Sequence, residues 1–291
     1  MKSKKIIITT DSNSGFSPAE AEKHGVRVIP MPFLIDGEPY FENVNLTQEE
    51  FYKKLKNGGN VATSQPSPGD LTELWTELLQ DYDEIVHLPM SSALSQSCAT
   101  AKIIAADFDN RVFVVDNKRI SVTLKESVLD ALALIEKGLD AKDIQKQLEE
   151  TGADSSIYIA LDTMKYLKKG GRITPAAAAI ATVLKIRPVL QIQGDRLDKF
   201  ALCRTKSKSK DTMKEAIVKD LSSRFQEFVQ KGEMTISVAH TDNAEEAEQF
   251  AEELKKAFPS LRFRFCEPLS LSVSCHIGPG ALAVALTRSL A

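Results

Sequence analysis

Residues 5–14 read KIIITTDSNS, a short apolar strand-like run that ends in one acidic and three small polar residues. Similar apolar runs recur along the chain and alternate with segments of helical period, a pattern typical of βα units with parallel sheets. We predict strands at Lys5 to Thr10, Arg27 to Pro32, Glu84 to Pro89, Arg111 to Asp116, Ser156 to Asp162, Pro188 to Gln193, Met234 to His240 and Leu261 to Cys266. The fold class is therefore predicted to be α/β, with a doubly wound parallel sheet in the first half.

Several helix starts carry capping signals. Ser17 and Thr47 are each followed three residues later by a glutamate, the pattern of a capping box. Ser67 stands before a proline, which favours the first helical position. Helices are therefore predicted to begin at these three residues.

The chain is predicted to divide into two domains near residue 153. Helical segments run from Ser121 to Lys137 and from Asp140 to Glu150, and the following TGADS, residues 151–155, indicates a break before a new strand. We place an N-terminal α/β domain at residues 1–153 and a second, smaller α/β domain at residues 154–291. The second is predicted to contain a hairpin near Gly194.

Composition excludes several classes of function. The 291 residues are 43% hydrophobic and 26% charged, as in globular proteins, and no apolar stretch nears the ~20 residues that a membrane span needs. Asp11 interrupts the first apolar run before a signal peptide could form, so we expect a cytoplasmic protein. With 37 basic and 40 acidic residues, the net charge of −3 argues against nucleic-acid binding as the main task.

The cysteines do not indicate a metal site. Cys98, Cys203, Cys266 and Cys275 form no CxxC pair, and one neighbouring histidine is too sparse a cluster for zinc. Reduced thiols that are mostly buried are the favoured interpretation.

Three hydroxyl-rich loops follow predicted strands or precede predicted helices. They are DSNS at residues 11–14, TSQPS at 63–67 and SSALS at 91–95. In an open parallel sheet, ligands bind at the carboxyl ends of the strands, where helix N-termini attract anions. Hydroxyls can donate to a carboxylate or phosphate there, although any single one could instead only cap a helix. The loops together predict a site for an anionic ligand.

Three residues of the second half are candidates for ligand or partner contact. His276 lies in a stretch with glycines around a proline, and we predict that a loop presents it before a C-terminal helix. Arg172 follows two glycines, and Arg204 begins a run of four basic residues in seven. A solvated basic loop is the alternative for both arginines. For His276 the alternative is that it supports a ligand-contacting residue or caps a helix.

The chain lacks the motifs of a nucleotide-binding enzyme. Gly58-Gly59 is not followed by the Gly-Lys-Ser/Thr of a P-loop, and no GxGxxG follows the first strand. A GxSxG nucleophile elbow is also absent. An enzyme, either a serine hydrolase or a phosphotransferase using Ser95 and His276, is therefore the weaker alternative to a binding protein.

The loops, in this order, resemble those of the DegV family of lipid-binding proteins. The matching stretches are Thr10-Asp11-Ser12, Ile35-Asp36-Gly37, Thr63-Ser64-Gln65-Pro66-Ser67, Leu94-Ser95, Tyr166 to Ile173, Arg204-Thr205-Lys206 and His276 to Ala281. They span essentially the whole chain. The resemblance implies a two-domain α/β protein that holds one long-chain fatty acid in a tunnel between the domains, without a cofactor and without catalysis of its own.

The resemblance also implies roles for individual residues. Thr63 and Ser95 are the expected contacts of the fatty-acid carboxylate, with Ser64, Ser92 and His276 nearby. In fatty acid kinases such a protein is the lipid-binding subunit, which presents the carboxylate to a separate ATP-binding kinase subunit for acyl phosphate formation. The resemblance places Arg172, Arg204 and His276 on the face that meets the kinase.

The small apolar residues of 175–184 could line the tunnel, although plain core packing is the alternative. The chain departs from the family pattern at three places. Gln96 and Cys275 replace a usual glycine and threonine, and residues 117–122, NKRISV, replace a stretch that usually contains glycine. Gln96 bears on the hydrogen bonding of the carboxylate, and the other two departures bear on tail preference and on coupling to a kinase.

Overall fold

The structure is a computed structural model and describes residues 4–180, 186–194 and 196–291. The chain forms two compact units. Unit 1 comprises the residues up to Ala153 together with Leu290 and Ala291, and unit 2 comprises Asp154–Ser289. Within the described ranges, no helix is both long enough and apolar enough to cross a membrane.

Unit 1 contains two sheets and the first set of helices. Its strands are β1 (Ile6–Asp11), β2 (Arg27–Ile29), β3 (Pro32–Ile35), β4 (Glu38–Phe41), β5 (Val61–Thr63), β6 (Glu84–Leu88) and β7 (Val112–Val114). Its helices are α1 (Pro18–His24), α2 (Gln48–Lys56), α3 (Pro68–Leu78), α4 (Ser97–Ala105), α5 (Val122–Glu136) and α6 (Ala141–Glu150), with a short 3-10 helix at Ser12–Ser14.

The main sheet of unit 1 is parallel, as predicted. Its described strands have the order β2-β1-β6-β7, so the carboxyl ends of β1 and β6 are neighbours. On one face of this sheet, Trp75 of α3 and Cys98 and Ala101 of α4 pack in a cluster with Ile7 and Ile85. This packing fixes the position of the start of α4 near the carboxyl end of β6.

The prediction of one continuous strand from Arg27 to Pro32 is wrong. It divides into β2 and β3, because Pro30 and Pro32 have no N–H to donate to a continuing ladder. The second segment instead forms a small antiparallel sheet of order β4-β3-β5, which the sequence did not predict. This sheet places Thr63 at the end of β5.

The three predicted helix starts are confirmed. Ser17 and Thr47 accept hydrogen bonds from the backbone of Glu20 and Glu50, whose carboxylates reach back to complete both capping boxes. Ser67 accepts from the Asp70 N–H at 3.0 Å and caps α3. The hydroxyl of Ser67 is therefore used in capping.

Unit 2 is built around one sheet. Its strands are β8 (Ser155–Ala160), β9 (Arg187–Ile192), β10 (Asp198–Cys203), β11 (Met234–His240), β12 (Arg262–Pro268) and β13 (Leu282–Arg288). Its helices are α7 (Lys165–Gly170), α8 (Pro175–Ile180), α9 (Lys206–Ser222), α10 (Gln226–Gln230), α11 (Ala244–Ala257) and α12 (Leu271–Ile277). The predicted hairpin is confirmed, since β9 and β10 pair antiparallel on either side of Gly194.

The sheet of unit 2 corrects the expectation of parallel sheets throughout. Its described strands have the order β10-β9-β8-β13-β11-β12, and only β11 and β12 are parallel neighbours among them. The predicted C-terminal helix is likewise wrong, because residues 282–288 form β13. This strand pairs on both sides, with β8 and β11, and is buried from Leu282 to Thr287. A buried apolar run of this length does not distinguish strand from helix by its sequence period.

Candidate functional site

The carboxylate of Asp11 joins the ends of two neighbouring strands in unit 1. Its Oδ2 accepts from the Met90 N–H at 2.7 Å and its Oδ1 from the Asn13 N–H at 2.9 Å. The residue is 1% exposed, and burial raises the pKa of this carboxyl to about 6, although the two N–H donors act in the opposite direction. Asp11 therefore fixes the loop after β6 to the loop after β1.

The hydroxyls after β1 have partners within the protein. Ser12 Oγ accepts from the Met31 N–H at 3.0 Å, and Ser14 Oγ donates to the Asp11 carbonyl at 2.8 Å. The Ser12 bond holds the short helix against the residue that precedes β3, and the Ser14 bond joins that helix to the end of β1. Ser12 and Ser14 therefore act chiefly in building the loop.

The loop after β6 carries the hydroxyls that the sequence singled out. Ser91 is buried, and its Oγ accepts from the Ala93 N–H at 3.2 Å. Ser95 is half-buried, and its Oγ accepts from the Ser97 N–H at 3.1 Å, so it caps the first turn of α4. Because a hydroxyl that accepts a bond can still donate one, Ser95 is able to serve both α4 and a ligand. Ser92 is half-buried on the same loop.

The loop with Thr63 is tied to the same helix. Gln65 and Thr100 of α4 exchange side-chain hydrogen bonds of 3.0 and 3.2 Å. Thr63 itself is half-buried, whereas Ser64 is exposed and its N–H donates to the Pro32 carbonyl at 3.1 Å. The three hydroxyl-bearing loops are thus connected within unit 1, directly through Asp11 and through α4.

Residues 117–122, one of the places where the chain departs from the family pattern, support two of these loops. The Arg119 carbonyl accepts from the Ser91 N–H at 2.9 Å, and the Ser121 N–H donates to the Asn13 carbonyl at 2.8 Å. Arg119 is 1% exposed, and its guanidinium donates to Ser127 Oγ at 3.0 Å and to the Thr151 carbonyl at 2.7 Å. Ser121 adopts a φ of +56°, in the region that favours glycine. The segment therefore adopts a demanding backbone path without glycine.

In unit 2, His276 is positioned by Gly170 and lies near Arg172. It belongs to the last turn of α12, so the predicted loop placement is wrong. A Cβ at Gly170 would lie 2.3 Å from His276 Nδ1, which shows how closely the ring approaches that backbone. Arg172 donates to the Gly170 carbonyl. Burial and the Arg172 guanidinium lower the pKa of His276 to about 4, so the imidazole is neutral at pH 7.

The turn after His276 depends on Thr241 and on two glycines. Thr241 Oγ1 donates to the Gly278 carbonyl at 2.6 Å and accepts from the Ala281 N–H at 2.9 Å. Gly278 and Gly280 have φ values of +77° and +84°, and a Cβ on Gly278 would lie 2.3 Å from the Tyr166 ring. Only glycine fits at residue 278. The turn therefore holds the end of α12 in place.

Arg204 lies in the connection before α9, whereas its basic neighbours belong to that helix. Arg204 is exposed between β10 and α9, and α9 begins at Lys206. Lys206 pairs with Glu246 at 2.6 Å, Lys208 with Glu215 at 3.4 Å, and Lys210 with Glu253 at 2.8 Å. Acidic residues of unit 2 thus offset the lysine charges, and Arg204 is exposed beside them.

Part of the predicted tunnel lining lies outside the described residues. Residues 175–180 form α8, in which Ala177 and Ile180 are buried, but residues 181–184 fall in the undescribed range. The described part is compatible with either lining or packing.

Two positioning residues were missed by the sequence analysis. Asp11 is predicted only as part of a polar loop, and Thr241 is not among the predicted site residues. Both end or directly follow a buried strand, β1 and β11 respectively. That position at the carboxyl end of a strand was the available signal.

Comparison with known proteins identifies the relatives of this chain. The family described as "Uncharacterised protein, DegV family" matches residues 5–289. A DegV domain-containing protein of Staphylococcus aureus (strain N315) is 29% identical over 285 residues, which cover 98% of this chain and 99% of that protein.

Solved structures agree with this match. DegV of Bacillus subtilis, described as a fatty acid binding protein, has a TM-score of 0.85 and 28% identity, with 99% of this chain and 100% of that chain covered. A DegV family protein of Thermus thermophilus, described by its fatty acid binding, has a TM-score of 0.86 and 26% identity, with 98% and 99% covered. The two-domain α/β fold is therefore confirmed, and the chain belongs to the DegV family.

Proposed function

We propose that this protein binds one long-chain fatty acid without catalysis of its own and presents its carboxylate to a separate ATP-dependent kinase subunit. The observation that carries the proposal is the connection of three hydroxyl-bearing loops, which follow β1, β5 and β6. Hydrogen bonds from Met90 to Asp11 and between Gln65 and Thr100 bring these loops together. The binding described for the Bacillus subtilis and Thermus thermophilus relatives supports the same function.

The proposed head-group contacts are Thr63 and Ser95, with Ser64, Ser92 and His276 close to the carboxylate. Thr63 and Ser95 are half-buried, so a bond to either is only partly exposed to competition from water. A hydroxyl donates to an anion without a charge of its own. Because His276 is neutral at pH 7, it would contribute hydrogen bonding and shape instead of a positive charge.

The acyl tail would supply most of the affinity, in a tunnel of the kind that the family resemblance implies. Burial of the methylenes of a sixteen-carbon acid is worth roughly 12 kcal/mol gross at about 0.8 kcal/mol each. The costs of association and of ordering the chain reduce this figure. Each hydrogen bond to the charged head group adds only about 1.5 to 3 kcal/mol. The tail therefore sets the strength of binding, and the head-group site sets the orientation.

Presentation to a kinase requires that the carboxylate stay reactive. In acyl phosphate formation, a carboxylate oxygen bonds to the terminal phosphorus of ATP and ADP leaves. Hydroxyl donors hold the carboxylate in its ionised form without neutralising it by a full ion pair. We place this reaction in the cytoplasm, with ATP bound by the partner and Arg172, Arg204 and His276 on the face that meets it.

The first test is the lipid content of the purified protein. We expect mass spectrometry of an organic extract to give long-chain fatty acid in near-stoichiometric amount, and titration of delipidated protein with palmitate to be saturable. Absence of any co-purified fatty acid, together with no saturable palmitate binding, would reject the proposed function.

A second test separates lipid binding from presentation. Arg204→Ala should leave palmitate affinity unchanged, because it leaves the hydroxyl loops of unit 1 intact. Coupled acyl phosphate formation with a cognate kinase should fall roughly 3- to 10-fold at subsaturating protein, since a charge at an interface rim chiefly speeds encounter. The wild-type rate should also decrease with salt, and Arg204→Ala should lose part of that dependence.

Lys219→Ala is the matched control for Arg204. It removes one exposed positive charge from the last turn of α9 and should retain wild-type turnover. Loss of palmitate binding in Arg204→Ala would place Arg204 in the ligand site. Unchanged turnover would remove it from the partner face.

A further inference from the structure

The hydroxyl of Ser97 is a polar group that contacts within the protein do not satisfy. Ser97 is the first residue of α4 and is 8% exposed. Its Oγ is buried and has no hydrogen-bond partner in the part of the chain that the structure describes. A buried hydroxyl without a partner destabilises the folded state, because water satisfies it in the unfolded chain. If Ser97 served only to pack the core, alanine would be more favourable here, because it has no hydroxyl to satisfy.

The start of α4 is also suited to an anion. Gln96, at the N-cap position, makes no side-chain capping bond, and Ser95 Oγ satisfies only the Ser97 N–H. The first turn of a helix has further N–H groups without acceptors inside the helix, and they carry partial positive charge. The first four residues of α4, SCAT, contain no charged side chain. A negatively charged acceptor would therefore be favoured there by the helix itself.

Residues that follow Ser97 in α4 belong to the core of unit 1. Cys98 is 1% exposed and packs in the core with Ala101. Burial and the charge of Asp116 raise the pKa of the Cys98 thiol to about 12, so the thiol itself adds no negative charge beside Ser97. The Gln65–Thr100 pair fixes the same turn to the loop that carries Thr63. Ser97 thus lies on the helix that connects the two principal head-group loops.

We propose that Ser97 Oγ donates a hydrogen bond to the carboxylate of the bound fatty acid, beside the bond from Ser95. The proposal rests on the proposed function and adds a residue that the motif resemblance did not assign. Ligand binding would then satisfy a hydroxyl that the protein leaves without a partner. Ser97 would favour an ionised head group over a neutral one, because a charged acceptor gains more from both the hydroxyl and the helix dipole.

The test compares two ligands on two proteins. Palmitate and hexadecanol, each delivered from cyclodextrin, are titrated against wild type and Ser97→Ala. Palmitate affinity should fall roughly tenfold in the variant, as expected for one hydrogen bond to a charged group, whereas hexadecanol affinity should change less than about threefold. The ligand-free variant should melt at a higher temperature than wild type, because the unsatisfied hydroxyl is gone.

Opposite changes in stability and affinity distinguish this role from a structural one. Ser209→Ala is the matched control, since Ser209 is 2% exposed in unit 2 and its hydroxyl donates to the Thr205 carbonyl at 3.1 Å. It should melt lower than wild type and bind palmitate normally. Ser97→Thr, which keeps the hydroxyl, should bind palmitate within about threefold of wild type.

Three results would overturn the role of Ser97. The first is wild-type palmitate affinity in Ser97→Ala. The second is an equal loss of palmitate and hexadecanol, and the third is an equal loss in Ser97→Ala and Ser97→Thr, both of which would indicate altered packing. If the wild-type protein bound neither ligand, the proposed function itself would fail. If wild type and Ser97→Ala bound palmitate equally well, only the role of Ser97 would fail.

Discussion

Replacement of Gly152 by alanine is expected to lower the free energy of unfolding by about 3 kcal/mol, at the upper end for overpacking. A Cβ at this position would lie 2.5 Å from the Asn117 carbonyl oxygen and 3.1 Å from the Asn117 carbonyl carbon and Cα. These are backbone atoms, which cannot rotate away as a flexible side chain can. Unit 1 must therefore shift its main chain to accept one methyl group.

The shift would reach the candidate site through Arg119. Its guanidinium donates to the carbonyls of Thr151 and Gly152, at 2.7 and 3.5 Å, and its own carbonyl accepts from Ser91. Displacement of residues 117–119 would leave part of a buried cation without acceptors, which is costly. It would also loosen the loop after β6. We therefore expect weaker palmitate binding as well as lower stability.

The measurement is thermal unfolding of wild type and Gly152→Ala, in which the midpoint should fall by about 6 to 12 °C. Gly69→Ala is the matched control. A Cβ at Gly69 would make only an ordinary contact of 3.7 Å with Ser67 Oγ, so its midpoint should stay within about 2 °C of wild type. Equal midpoints for Gly152→Ala and wild type would show that the backbone yields at little cost.

The sequence was most informative where local chemistry decides the structure. The capping residues Ser17, Thr47 and Ser67 each start a helix, as their side chains require only backbone groups three residues away. The first polar loop follows β1 as predicted, because a parallel buried strand must end in a turn at the sheet edge. These features depend on neighbours in the chain.

Features that depend on distant pairing were misread or missed. The segment of β13 has the composition of either a helix or a buried strand, and only its pairing with β8 and β11 makes it a strand. Asp11 was not recognised as a positioning residue, because its partner Met90 lies 79 residues away. His276 was assigned to a loop, although α12 extends to Ile277 before Gly278 ends it.

The candidate site likewise has some features that the sequence predicts and others that it does not. Its hydroxyls could be predicted as a group, because each stands near a predicted strand end or helix start. Their separate roles could not, since Ser12, Ser14 and Ser91 prove to be engaged in loop construction. Ser97 was missed because burial without a partner is a property of the folded chain. Local sequence thus indicates where a ligand binds, and three-dimensional contacts indicate which groups are available to it.

The largest functional effect is expected from the combined change Thr63→Ala and Ser95→Ala. The double variant should bind palmitate less tightly by about 1 to 3 kcal/mol, because two donors to a charged acceptor are lost and water replaces them in part. This corresponds to roughly 5- to 150-fold in the dissociation constant. Titration of delipidated protein with palmitate measures the change directly.

Stability must be measured on the same proteins, because Ser95 also caps the Ser97 N–H and its loss should cost about 1 kcal/mol of folding free energy. The control is Thr72→Ala with Thr76→Ala, which removes two exposed hydroxyls of α3 that bond only to their own helix. The control should bind palmitate as wild type does. A site double variant that keeps both a native circular dichroism spectrum and wild-type affinity would exclude Thr63 and Ser95 as the carboxylate contacts. A loss confined to the site variant would place the head group at the loops that follow β5 and β6.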